Sequence, residues 1–146
     1  MNTKLPVEEL VEIVLRRSIC RVQMGVVIYD SYGVFAWGWN HPGENGLGEH
    51  AEVHAMRRAS KRRLIGATLV VAGRYRKSRG LVEAKPCGLC LGMALDKGLS
   101  RVVYRGRDGV WRTIRLGGAG GLLRNLGHVS VRNRGTRGQE VRYEGL

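Results

Sequence analysis

An α/β architecture built on five strands follows from three features of the chain: its length, the alternation of its apolar segments and the position of its glycines. With 146 residues and 43% apolar side chains, the sequence suits one domain with a single core. That core spans about residues 6–116, and 117–146 reads as a basic C-terminal extension. Helical and extended patterns alternate in the order α-β-β-α-β-α-β-β, which calls for a sheet with helices packed on it in two or three layers.

Residues 6–18 open on Pro6, where a missing N–H is tolerated, and Val7, Leu10, Val11, Val14 and Leu15 form one helical stripe. Val22 to Tyr29 is rich in Val, Ile and Tyr. Asp30-Ser31-Tyr32-Gly33 then supplies turn chemistry before a second run, Val34 to Trp39, so the two read as a β-hairpin. Asn40 to Gly48 is a glycine-rich loop leading to His50, and 50–61 is a helix carrying Ala51, Ala55, Met56 and Ala59. Gly66 ends that run. Ala67 to Ala72, continuing toward Tyr75, is the third strand, and Pro86 opens a helix that Gly98 stops. Arg101 to Tyr104 is the fourth strand. The compact turn Gly106-Arg107-Asp108-Gly109 then sets Val110 to Leu116 antiparallel to it. Beyond Gly118 the signal weakens, although Val129-Ser130-Val131 and Val141-Arg142-Tyr143 could pair as a further hairpin.

The net charge of +13 is unevenly spread. Residues 1–56 carry −3, 57–85 carry +9 and 101–146 carry +7, and 20 of the 25 basic residues are arginine. Arginine's planar fork suits phosphate and its face stacks on bases, so a nucleic-acid partner is expected. The ordinary alternative is scattered surface charge that only aids solubility. No apolar run is long enough to span a membrane and no export leader is evident, so a cytoplasmic protein without a membrane partner is expected. Three cysteines, two of them in Cys87-x-x-Cys90, fit metal binding in a reducing compartment better than disulfides. Cys20 reads as an ordinary buried thiol. No residue decides whether the chain forms a homo-oligomer.

The chemistry is concentrated in two segments, His50-Ala51-Glu52 and Pro86-Cys87-Gly88-Leu89-Cys90. Cys87 and Cys90, three apart on a helix, share a face and can grip one ion, and His50 supplies a third ligand. Three protein ligands leave zinc an open position, as in catalytic sites, so one Zn2+ per chain is expected. Glu52 lies about 200° around the helix from His50 and should not ligate the same ion. It is the candidate for proton transfer, and its ordinary alternative is a carboxylate stabilised at a helix start. His54 is four residues from His50, but alanine follows the first histidine, unlike H-E-x-x-H metalloproteases. His54 therefore reads as a packing residue, and His41 and His128 as loop histidines. A structural zinc would need a fourth ligand, for which Cys20 or His54 are the candidates.

At these residues the chain resembles the cytidine deaminase superfamily of zinc-dependent deaminases, whose signature is H-x-E followed by P-C-x-x-C. The resemblance runs from about Val22 to Tyr104. It implies a cytidine deaminase-like fold with a mixed sheet, and base contacts from the backbone around Ala51 and from Pro86-Cys87. Gly38-Trp39-Asn40 with His50-Ala51-Glu52 is similar to bacterial tRNA adenosine deaminases, whose matching asparagine contacts the target nucleoside, so Asn40 is a candidate for substrate binding. Gly48 to Ala55 is similar to the deaminase domain of riboflavin biosynthesis enzymes. The adenosine enzymes carry a helix between strands four and five, which Gly106 to Gly109 cannot contain, and an acidic residue where Ala84-Lys85 stands here. Cytosine is thus the expected base.

The favoured reading is hydrolytic conversion of cytosine to uracil within DNA or RNA. In it 57–85 and 101–146 track the backbone, and Trp39, Tyr75, Tyr104 or Trp111 are available for stacking unless they are core. The alternatives are a deaminase of free cytidine, deoxycytidine or their nucleotides, and a nucleic-acid-binding protein whose zinc is structural. Deamination of adenosine in tRNA ranks below these.

Overall fold

Proline at position 6 caps a helix, and its carbonyl accepts the amides of Glu9 and Leu10 at 2.9 and 3.1 Å. In the computed structural model, which describes residues 6–43, 48–117, 130–132 and 140–144, this helix is α1 (Val7–Leu15). The elements that follow are β1 (Val22–Asp30), β2 (Gly33–Trp39), α2 (Ala51–Arg58), α3 (Lys61–Leu64), β3 (Thr68–Tyr75), α4 (Gly88–Asp96), β4 (Arg101–Arg105), β5 (Trp111–Arg115), β6 (Ser130–Arg132) and β7 (Glu140–Glu144). The expected single helix over 50–61 is two. Ala59 leaves the helical region, and Ser60 caps α3 by accepting the Arg63 amide at 3.4 Å.

The strands form one mixed sheet in the order β2-β1-β3-β4-β5-β7-β6. β1 runs antiparallel to β2 and β3, β3 parallel to β4, and β4 antiparallel to β5, as the short turn at 106–109 predicts. The sheet is wider than the five strands expected. β6 and β7 pair antiparallel, close to the weak hairpin read at 129–131 and 141–143, and β7 docks parallel on β5.

Alternation along β1 sends Val26 and Ile28 to one face and Val27 to the other. The first face packs with Leu69, Val71, Val102 and Ile114 against Ala51, Ala55 and Met56 of α2 and Leu91, Ala94 and Leu95 of α4. On the second face, Val27 and Ala72 meet Val11, Val14 and Leu15 of α1. The layering is α/β/α. On the α1 side, Glu12 accepts from Arg74 at 2.8 Å and from Arg105 at 2.6 Å, tying the helix to β3 and β4.

The packing of α2 on β2 depends on Gly38. A Cβ there would lie 2.5 Å from Ala55 N and 2.9 Å from Ala51 O, and both are helix backbone that cannot swing aside. Gly38→Ala should therefore displace α2, and His50 at its start, and destabilise the protein by about 1–3 kcal/mol or more. Thermal unfolding and zinc content of the variant check this; an unchanged midpoint with full zinc would disprove it.

Candidate metal centre

Two helix starts converge at the site. His50 occupies the cap position of α2 and Cys87 that of α4, both in extended backbone conformation, and Cys90 sits within the first turn of α4. His50 Nδ1 lies 3.4 Å from Cys90 Sγ and 3.8 Å from Cys87 Sγ, and the three donor atoms all fall within 4.8 Å of one another. A tetrahedral zinc with Zn–N of about 2.0–2.1 Å and Zn–S of about 2.3 Å sets its N···S edges at about 3.6 Å. The observed separations bracket that value, so these three side chains are positioned to hold one zinc ion. Cys87 is exposed and Cys90 is buried. Burial, with Glu52 and Cys87 close by, pushes the Cys90 thiol well above its ordinary range, whereas coordination to a cation deprotonates such a thiol.

Glu52 is only 6% exposed and does not join the three donors. Its carboxyl group lies beside His50 and within hydrogen-bonding reach of Cys90. Burial raises its pKa above the ordinary carboxylate value, which a hydrogen bond from its own backbone amide and the His50 and Cys90 contacts only partly offset. A proton acceptor and a trio of metal ligands therefore share one corner of the fold.

No fourth His, Cys, Asp or Glu joins the trio among the described residues. The two sequence candidates for a fourth ligand are engaged elsewhere. His54 Nδ1 accepts the Trp39 amide at 3.1 Å, and its Nε2 lies 3.4 Å from Arg58 Nη1. Burial, with His41 and Arg58 adding, pushes His54 below its ordinary pKa. Cys20 Sγ is 3.8 Å from the Asn40 carbonyl. That thiol is half-buried rather than buried, and its neighbour Ile19 is 66% exposed.

The remaining sequence candidates separate by position. Ala51 and Pro86 are buried directly beside the ligands His50 and Cys87. Asn40 uses each end of its amide once, accepting from Met24 N at 2.9 Å and donating to Val22 O at 2.9 Å, so it fastens the end of β2 to β1. Trp39 has its surroundings filled: Arg17 and Arg58 lie 5.0 and 5.5 Å from its ring centroid, and His41 and His54 pack against it. Tyr104 is 5% exposed and belongs to the core, where a stacking base cannot reach it. Trp111 is half-buried with Arg105 over its ring, and Tyr75 is 40% exposed. His128 lies outside the described residues.

Sequence reasoning missed His41. It exchanges two backbone hydrogen bonds with Glu49, at 3.0 and 3.1 Å, which close the base of the loop that delivers His50. Its ring stacks edge-on against His54, and together with Pro42, Glu49, Val53, Arg57 and Leu89 it lines a cleft of about 680 Å3 that reaches His50 and Cys90. A histidine in a glycine-rich loop gives no periodic signal, so nothing in the pattern singled it out. No helix among the described residues is long and apolar enough to cross a membrane.

Known proteins share this fold. The cytidine deaminase of Burkholderia pseudomallei is 21% identical, with 75% of this chain and 89% of that one covered at a TM-score of 0.58. The dCMP deaminase of cyanophage S-TIM5, solved with dCMP and dUMP, is 22% identical over 71% of this chain and 84% of its own, at a TM-score of 0.51. The cytidine deaminase of Mycobacterium leprae is 18% identical over 73% and 88%, at 0.50. At these identities the likeness establishes the fold. Residues 5–105 match the family model of the cytidine and deoxycytidylate deaminase zinc-binding region, a span that contains both ligand-bearing helix starts and Glu52. With that match over more than half its length and the three ligands in place, the chain belongs to the cytidine and deoxycytidylate deaminase family of zinc-dependent hydrolases.

Proposed function

We propose that the protein converts cytosine to uracil within a nucleic acid, DNA or RNA, releasing ammonia. The observation that carries the chemistry is the buried Glu52 beside the convergent His50, Cys87 and Cys90. Zinc held there supplies Lewis acidity, which lets water ionise near neutral pH. Glu52 accepts the proton of the attacking water, passes it to the ring nitrogen of cytosine, and completes proton transfer to the departing amino group. The backbone at Ala51 and Pro86-Cys87 borders the base.

What supports a polymer is the charge, +9 over residues 57–85. The second reading is deamination of a free nucleotide, favoured by the dCMP and dUMP carried by the cyanophage relative. Free cysteines at 20, 87 and 90 suit a reducing compartment such as the cytoplasm.

A substrate panel separates these readings. Purified protein holding about one zinc should deaminate a cytosine-containing oligonucleotide with a higher kcat/KM than deoxycytidine or dCMP. Turnover of the small molecules alone would refute the polymer reading and leave the nucleotide reading standing.

A further inference from the structure

Two loops that lie far apart in sequence form one basic shelf. The end of α1 runs into β1 through residues 16–21, and β3 leaves the sheet through residues 75–80. They are joined where Arg76 N donates to Arg21 O at 2.9 Å and Arg76 Nη1 donates to Ile19 O at 3.1 Å, next to the Val22–Tyr75 register pair. Arg16, Arg17, Arg21, Arg76, Lys77 and Arg79 are all exposed on it. No acidic side chain pairs with any of the six among the described residues. The nearest carboxylate on α1, Glu12, is already taken by Arg74 and Arg105. Exposed aromatic and apolar surface lies among the charges, with Tyr75 at 40% and Ile19 at 66%.

Arg79 adds a separate observation. It is the one non-glycine residue with positive φ, +66°, among the described residues, in a backbone region that side chains other than glycine rarely adopt. Glycine would satisfy this turn without strain, and Gly80 is its neighbour. A cation is held on the shelf where the turn itself favours no side chain.

The shelf also connects to the cleft. Arg17 lies over the Trp39 ring, Trp39 packs on His41, and His41 lines the cleft that reaches the metal ligands. β1 starts, and β2 and β3 finish, at this same end of the sheet. A strand laid along the shelf is therefore led toward the site.

We infer that the shelf formed by residues 16–21 and 75–79 is a binding surface for single-stranded nucleic acid, gripping phosphates through its arginines and Lys77 and stacking a base on Tyr75. This rests on the polymer reading above and deepens it. A lipid surface would use the charge, but it gives no role to a single tyrosine beside a row of guanidinium groups or to a path toward the cleft.

The test uses the full chain and a fluorescent oligothymidylate, which binds without being turned over. Wild-type protein should bind it with a steep salt dependence. Arg21→Gln with Lys77→Gln should weaken binding about tenfold at low salt and flatten the slope of log K against log salt by about 0.7 for each phosphate no longer neutralised. Arg79→Gly should weaken binding while leaving the thermal midpoint equal or higher, which separates weakened binding from impaired folding. The shelf narrows the basic run 57–85 to its end at 75–79, so Lys61→Gln with Arg62→Gln, which removes the same charge from α3 before the opposite end of β3, should change affinity less than twofold. Equal losses in the two pairs would overturn the surface, as would absence of oligothymidylate binding or equally tight binding to phosphatidylserine vesicles. If the shelf binds oligothymidylate but cytosine-containing strands are not deaminated, the surface stands and the polymer-substrate reading fails. If the Arg21/Lys77 variant deaminates such strands at wild-type efficiency, the reading stands and the surface fails.

Discussion

Glu52→Gln should lower turnover by about 10²–10⁴-fold while the protein still holds its zinc. The amide matches the carboxyl in size and fills the same buried place, but it cannot carry a proton between water and ring. The variant also has a distinctive stability signature. Burial raises the carboxyl's pKa in the folded protein above its unfolded value, so ionising it opposes folding increasingly as the pH rises through the unfolded value. An amide has no such titration. Metal-free Glu52→Gln should therefore unfold at an equal or higher temperature than metal-free wild type at neutral pH, the trade expected when a group is placed for chemistry at the expense of stability. Retained activity in a zinc-loaded variant would remove Glu52 from the reaction.

Cys87→Ala should lose both zinc and turnover, to the detection limit of each, with the apo fold intact. Cys87 is exposed, so its truncation opens no cavity and should change apo stability by no more than about 0.5 kcal/mol. Cys90→Ala should lose the metal equally but lower the apo midpoint as well, because that side chain is buried in the first turn of α4. Zinc content measured on gently purified protein, alongside thermal unfolding in a chelator, distinguishes the two. A Cys87→Ala protein that keeps stoichiometric zinc would mean the ion is held by a different set of residues.

Much of this was legible in the chain. Segment order, the stop at Gly98 and the antiparallel return after a four-residue turn are local matters, written in glycines and in the period of the apolar residues. The ligand trio was equally plain, because His50-Ala51-Glu52 followed by Pro86-Cys87-x-x-Cys90 matches the signature of the zinc-dependent deaminases the chain resembles. Three things were not legible. The division of α2 from α3 rests on a single capping serine at position 60 inside a run of good helix formers. The two bonds by which Asn40 fastens β2 to β1 depend on what lies across the sheet, which a period of two cannot reveal. The docking of β7 on β5 is a contact between distant segments, and its neighbours in sequence carry no hint of the parallel register.

β2 ends the sheet on one side, and two backbone groups near its C-terminal end are answered by α2: Trp39 N–H by His54 and the Trp37 carbonyl by Arg58, at 3.1 and 3.2 Å. An unguarded border strand invites a second molecule to zip onto it and begin a fibre. With these two side chains turned over the margin like a hem, that end of the strand offers a second copy fewer free groups to pair with.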